Sequence, residues 1–123
     1  GVHNHQPVGN FDFVFDYATS RCYERFVDAL WDHPNVKWAM HFSGPLILWL
    51  IENRPELLDK VRALIERGQV ELLGSALGEA VLATIPPRDL AAQITEMQQL
   101  CEQTFGVRVR GMWLTERVWE PSP

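Results

Sequence analysis

The sequence predicts an α/β fold in which four short parallel strands alternate with helices that cross back over the sheet. Three observations carry that reading. Short apolar runs alternate with stretches in which apolar side chains recur three or four residues apart, the spacing of one helical face. Prolines open the periodic stretches and glycines close them. Each stretch between two apolar runs is long enough for the crossover that parallel strands require.

Val2 reads as the end of a strand that starts upstream, followed by a loop from His3 to Phe15. The next helix shows Tyr23, Phe26, Val27 and Leu30 on one face and stops at Pro34. Lys37 to Phe42 is the second strand, and Ser43-Gly44-Pro45 turns into a short helix with Pro45 at its first position. Pro55 opens another helix, with Leu57, Leu58, Val61, Leu64 and Ile65 inward and Gly68 as its C-terminal stop. Val70 to Leu73 forms the third strand. Gly74 to Pro87 is irregular, punctuated by Gly74, Gly78, Pro86 and Pro87. From Arg88 a long helix carries Leu90, Ile94, Met97 and Cys101 on one stripe and closes at Gly106, and Val107 to Leu114 leads into the last strand. No internal repeat or low-complexity segment interrupts this order.

With 123 residues, 46% hydrophobic and 22% charged, the chain has the composition of globular material with side chains for one core. A formal net charge of −5 and the lack of any Lys/Arg-rich run argue against a nucleic-acid or anionic-membrane partner and favour a neutral substrate. The longest apolar run, Leu46 to Ile51, falls far short of the roughly 20 residues a bilayer span needs. Cys22 and Cys101 lie on separate predicted helices with no CxxC spacing, so both are expected to be buried, reduced thiols of a cytoplasmic protein. The chain starts at Gly1 without an initiator Met or signal peptide and stops at Pro123 just after its richest motif, and so reads as a fragment.

Right-handed crossovers put every strand-to-helix loop at one end of a parallel sheet. His3, Asn4, His5 and Gln6 follow the first strand; His41 lies on the second and Ser43 follows it. Ser75 and Glu79 follow the third, and Glu116 and Arg117 the fourth. Glu116 stands between Trp113 and Trp119, a pattern suited to sugar chemistry. A carboxylate can attack an anomeric carbon or support the charge developing there, and an indole face offers a flat apolar surface to a pyranose ring. The same stretch also fits an edge strand with an exposed Glu and two half-buried tryptophans. Arg117, beside Glu116, is placed to help keep that carboxylate ionised. His3 and His5 point the same way if the strand persists through them. They fit metal ligands, hydrogen-bond partners for sugar hydroxyls, or histidines tied to loop backbone. The metal reading lacks a third ligand with recognisable spacing, since neither His41 nor Glu79 shows one. His33, beside Pro34, belongs to the opposite rim.

Four blocks then stand together: His3-Asn4-His5-Gln6-Pro7-Val8-Gly9-Asn10-Phe11, His41-Phe42-Ser43-Gly44-Pro45-Leu46, Arg67-Gly68-Gln69-Val70-Glu71-Leu72, and Trp113-Leu114-Thr115-Glu116-Arg117-Val118-Trp119-Glu120-Pro121. In this order and spacing the chain resembles glycoside hydrolase family 57, most closely its 4-α-glucanotransferase and α-amylase branch. The resemblance implies a retaining enzyme on α-glucans. Its fold would be a partial (β/α)7, TIM-like barrel, of which residues 1–123 form about the first four strand-helix units; the remaining barrel and a helical domain would follow. It places the nucleophile on Glu116 and substrate-binding roles on His5, Glu79 and Trp113. It implies no cofactor and no catalytic metal. His3 and Arg117 complete the expected substrate site, and homo-oligomerisation of the full-length protein is left open.

The family's acid/base is an Asp beyond Pro123, and retaining chemistry needs two carboxyls roughly 5 to 5.5 Å apart, so these residues alone are expected to be inactive. The third-strand loop departs from the family's Gly-Gly-Phe-Tyr-Glu-Pro pattern and reads Ser75-Ala76-Leu77-Gly78-Glu79-Ala80. Loss of the aromatic removes stacking surface and a hydroxyl from the sugar subsites. Two rival readings remain: a metal-dependent deacetylase or mannosidase-like hydrolase using His3 and His5, and a non-catalytic relative that binds glucan.

Overall fold

The computed structural model describes residues 1–121. Its order is β1 (Val2–Asn4), α1 (Asp12–Ala18), a π turn (Thr19–Tyr23), α2 (Glu24–Asp32), β2 (Trp38–Phe42), α3 (Gly44–Asn53), α4 (Pro55–Glu66) and β3 (Val70–Gly74). A 3-10 turn (Leu82–Thr84), α5 (Pro87–Phe105), β4 (Gly111–Met112) and a second 3-10 turn (Thr115–Arg117) complete it. The four strands form one sheet in the order β1-β2-β3-β4, and all three pairings are parallel. The expected alternation is therefore present, in sequential strand order.

Strand periodicity splits the sheet into two chemically distinct faces, because successive side chains point to opposite sides. The even-numbered residues Met40, Phe42, Val70 and Leu72 join one core with Val27, Leu30, Leu46, Ile47, Leu50, Val61, Leu64, Met97, Cys101 and Phe105 from the helices. Burying each large member contributes on the order of 1.5–3 kcal/mol. Successive right-handed crossovers in sequential order lay the helices over one side of the sheet, and the single core cluster agrees with that. The odd-numbered face is left for His3, His41 and Trp113.

The proline and glycine signals hold. Pro45, Pro55 and Pro87 lie in the first turns of α3, α4 and α5, and Gly106 ends α5 in the left-handed region at φ 73°. Two expectations need correction. The first helix begins at Asp12 rather than after Phe15, and a π turn carries it into α2. Its first segment buries only Phe15 and leaves Phe13 and Tyr17 exposed, so the sequence there shows no apolar stripe. Cys22 is exposed; Cys101 is buried as expected, and burial pushes its thiol up to about 12. The Arg67 to Leu72 block serves the rim away from the strand ends. Gln69 Nε2 donates to the carbonyls of Leu30 and His33 at 2.6 and 3.0 Å, satisfying backbone left open where α2 ends. Arg67 lies over the Trp31 ring at 4.6 Å. No helix among the described residues is long and apolar enough to cross a membrane.

Candidate active site

Register brings the site together. His3 on β1 pairs with His41 on β2, which pairs with Leu73 on β3, which pairs with Gly111 on β4. Residues two further along each strand keep the same parity, so His5, Ser75 and Trp113 share this face. The rings confirm it. His3 stacks on Trp113 with centroids 4.4 Å apart and on His41 at 4.8 Å, and His5 lies nearly parallel to His3 at 5.5 Å. Beyond Met112, the Trp113 amide donates to the Gly74 carbonyl at 2.8 Å, which carries the β3–β4 link up to the indole.

A hydrogen-bond relay fixes the protons beneath these rings. Nδ1 of His3 and Nδ1 of His41 lie 2.7 Å apart, His41 Nε2 lies 2.8 Å from Ser75 Oγ, and that hydroxyl donates to the Ala76 carbonyl at 3.0 Å. Ser75 has one proton and commits it to the carbonyl, so His41 Nε2–H donates to Ser75. His41 Nδ1 then accepts from His3 Nδ1–H, and His3 presents Nε2 as a lone pair. His41 is fully buried, and desolvation, with His3 and His5 nearby, pushes its pKa down to about 3. The 3.3 Å approach of His41 Nε2 to Glu79 Oε1 is therefore a contact with a neutral imidazole and not an ion pair. Burial also lowers His3 and His5, with the Glu116 charge opposing it in both.

The loop after β1 is anchored by Tyr23 and Ser43. Tyr23, at the end of the π turn, donates its hydroxyl to the His5 carbonyl at 3.2 Å and accepts from Gln6 Nε2 at 3.0 Å. Ser43 Oγ accepts from the Gln6 amide at 3.2 Å. The loop after β3 brings Glu79 under Thr115, whose hydroxyl donates to Glu79 Oε2 at 3.3 Å. Burial raises the Glu79 pKa; the Thr115 hydrogen bond lowers it and the charge of Glu116 raises it further. Glu79, Glu116 and Arg117 adopt left-handed backbone with φ of 59°, 54° and 57°. Non-glycine residues held there are strained, and such strain concentrates at functional loops.

His3, His5, Glu79 and Trp113 thus meet in one place, with Glu116 on the adjoining turn, close enough for its charge to act on His3, His5 and Glu79. Glu116 and Arg117 are exposed, and among the described residues no ion pair joins them. Trp119 is 76% exposed rather than half-buried. His33 is exposed as expected, its Nδ1 lying 2.7 Å from the Ala29 carbonyl. The third donor that sequence spacing failed to show is present: one ligand atom each from His3, His5 and Glu79 lie within 4.8 Å of one another. An apolar cleft of about 420 Å³, lined by Pro7, Phe15, Trp49, Leu77 and Gly78 among others, lies off the ring stack and holds none of these groups. Tyr23 and Thr115 escaped the sequence reading as site-building residues, and no spacing pattern marked either; His41 was among the residues that topology gathers at this rim.

A parallel α/β sheet that gathers imidazoles, carboxylates and an indole at the carboxyl ends of its strands defines the class of α/β proteins whose sites are built on strand-to-helix loops. The family model of glycosyl hydrolase family 57 matches residues 1–122, and the chain belongs to that family. It is 50% identical over 122 residues to an alpha-amylase of Pyrococcus furiosus, covering 99% of this chain and 19% of that protein. It is 46% identical over 122 residues to a 4-alpha-glucanotransferase of Thermococcus kodakarensis, covering 99% and 18%. The crystal structure of 4-alpha-glucanotransferase from Thermococcus litoralis superposes with a TM-score of 0.95 at 46% identity, covering 98% of this chain and 19% of that one. The chain spans about a fifth of the length of the curated relatives it matches.

Proposed function

We propose that this chain is the N-terminal part of the catalytic domain of a retaining enzyme acting on α-1,4-glucans, as a hydrolase or a 4-α-glucanotransferase. Its four strand-helix units are read as the start of a (β/α)7 barrel; sequential strand order with one shared helix layer supports this over a doubly wound sheet. The observation that carries the functional reading is the presentation of Glu116 on a strained turn beside the floor formed by His3, His5, Glu79 and Trp113.

In this reading Trp113 offers its face to a glucose ring, and His5 and Glu79 bind hydroxyls through buried atoms that have no hydrogen-bond partner among the described residues. Glu116 attacks the anomeric carbon while an Asp from outside these residues protonates the departing glycosidic oxygen. The resulting glycosyl-enzyme is released by water, giving hydrolysis, or by the 4-hydroxyl of a second glucan, giving transfer; the same Asp takes the incoming proton. Arg117, without an ion pair to Glu116, serves the rim of the substrate site rather than the charge of the nucleophile. Residues 1–123 lack the acid/base and are inactive alone.

Incubating the full-length protein with a single maltooligosaccharide and resolving its products tests this. Shortened products are expected from a hydrolase, and shortened together with lengthened products from a transferase. A folded, full-length protein that yields neither would refute the assignment.

A further inference from the structure

We propose that His3, His5 and Glu79 form a binding site for a zinc-class divalent cation at the floor of this pocket, and that a bound cation excludes the glucose unit. The exclusion rests on the glucan reading above; the site itself does not. Two imidazoles and a carboxylate are a donor set that suits zinc and its first-row neighbours, whereas magnesium and calcium favour all-oxygen cages. The three donors lie within 4.8 Å of one another. Tetrahedral zinc, with bonds of about 2.0–2.1 Å, holds its donors about 3.4 Å apart. The donors need only draw together by at most about 1.4 Å.

The surroundings are organised as a metal's outer shell is. The relay from the Ala76 carbonyl through Ser75 and His41 commits the His3 Nδ1 proton to His41 and leaves Nε2 of His3 as the free lone pair. A second ring nitrogen tied to a hydrogen-bond partner is how metal-binding histidines are held in one tautomer and orientation. His5 Nδ1 is buried without a hydrogen-bond partner among the described residues, and Glu79 Oε1 has only the 3.3 Å approach of His41 Nε2, whose proton goes to Ser75; atoms left so are costly unless something else occupies them. Glu79 is also kept in place by Thr115 Oγ1 at 3.3 Å through its other oxygen. A cation here would engage the same His5 and Glu79 atoms proposed to hold sugar hydroxyls, so the two occupants compete.

The test uses the full-length protein stripped of metal by chelation, then dialysed against Zn2+ and analysed for bound metal. One zinc per chain is expected. His3→Ala and Glu79→Gln should each weaken uptake tenfold or more, while Cys22→Ser leaves it unchanged. Thermal unfolding shows which variants are folded, and two ligand variants keep the result readable if one is not. Co2+ in place of zinc should show visible ligand-field bands that disappear in Glu79→Gln. A saturating maltooligosaccharide should lower the apparent zinc affinity at least tenfold, and zinc should raise KM for the glucan. No stoichiometric uptake, or uptake that folded His3→Ala and Glu79→Gln variants leave intact, overturns the site. Zinc bound without loss of glucan affinity, or turnover that rises with zinc, overturns the exclusion. Uptake lost in both variants while no maltooligosaccharide is turned over sinks the glucan reading and supports the site.

Discussion

Glu116→Gln in the full-length protein is expected to lower turnover of maltooligosaccharides by about 10³-fold or more while leaving glucan affinity within about threefold. The substitution keeps the size and planarity of the side chain. It tolerates or resists the left-handed backbone at φ 54° much as Glu does, so the turn should persist. What it removes is the negative charge and the oxygen that would bond to the anomeric carbon. A 10³-fold loss corresponds to about 4 kcal/mol of transition-state stabilisation. Because the sugar is read as resting on Trp113, His5 and Glu79, ground-state binding should survive. Initial rates and direct binding of a maltooligosaccharide separate the two effects, and unchanged turnover would remove Glu116 from its role.

Gly44→Ala is expected to destabilise the protein by about 2–3 kcal/mol and to weaken glucan binding, although Gly44 touches no proposed sugar group. A Cβ at this position would stand 2.2 Å from the Leu77 carbonyl oxygen and 2.7 Å from Leu77 Cδ1. The first of these is backbone and cannot swing aside. The loop carrying it is pinned to α5, since the Leu77 amide donates to the Gln93 carbonyl at 3.2 Å and the Gly78 amide to Gln93 Oε1 at 2.7 Å. Displacement therefore passes along the loop to Glu79, two residues on. Alanine is the better helix former at the start of α3, so any loss comes from the clash. Gly78→Ala is the control, because its Cβ would meet only Gln93 Oε1 at 3.4 Å. Chemical denaturation and KM for the glucan, compared across the two variants, check the expectation; equal behaviour would show that the approach of α3 to the β3 loop is not limiting.

The elements readable in the sequence were those whose signal lies along the chain. The Pro55 start, the α4 stripe of Leu57, Leu58, Val61 and Leu64, and the Gly106 stop each involve neighbours within a few turns, and each is present. The convergence of His3, His5, Glu79 and Trp113 was also readable, because parallel topology alone sends strand-end loops to one rim. The remainder depends on register and on loop path. His3 meets His41 across 38 positions, His41 meets Ser75 across 34, and Thr115 meets Glu79 across 36; no spacing pattern encodes such contacts. For that reason Glu79 showed no metal spacing in the sequence, although its donor atom lies with those of His3 and His5. The π turn that lifts Tyr23 beneath the His5 carbonyl is a backbone insertion inside an otherwise regular helix, and its sequence, Thr19 to Tyr23, has no breaker to announce it. β4 is only two residues where a longer strand was expected, although the Trp113 amide beyond it still donates to the Gly74 carbonyl at 2.8 Å.

The arrangement stands or falls on whether Glu116 attacks a sugar seated over His5, Glu79 and Trp113. A fluorinated α-glucosyl fluoride reacts by losing fluoride and leaves an electron-poor glycosyl-enzyme that hydrolyses slowly, so the attacking carboxylate can be identified by peptide mass spectrometry of the full-length protein. A single adduct on Glu116, absent from Glu116→Gln, is the predicted result. An adduct on Glu79 or on any other carboxylate, with Glu116 unmodified in a protein that turns over glucan, would contradict it.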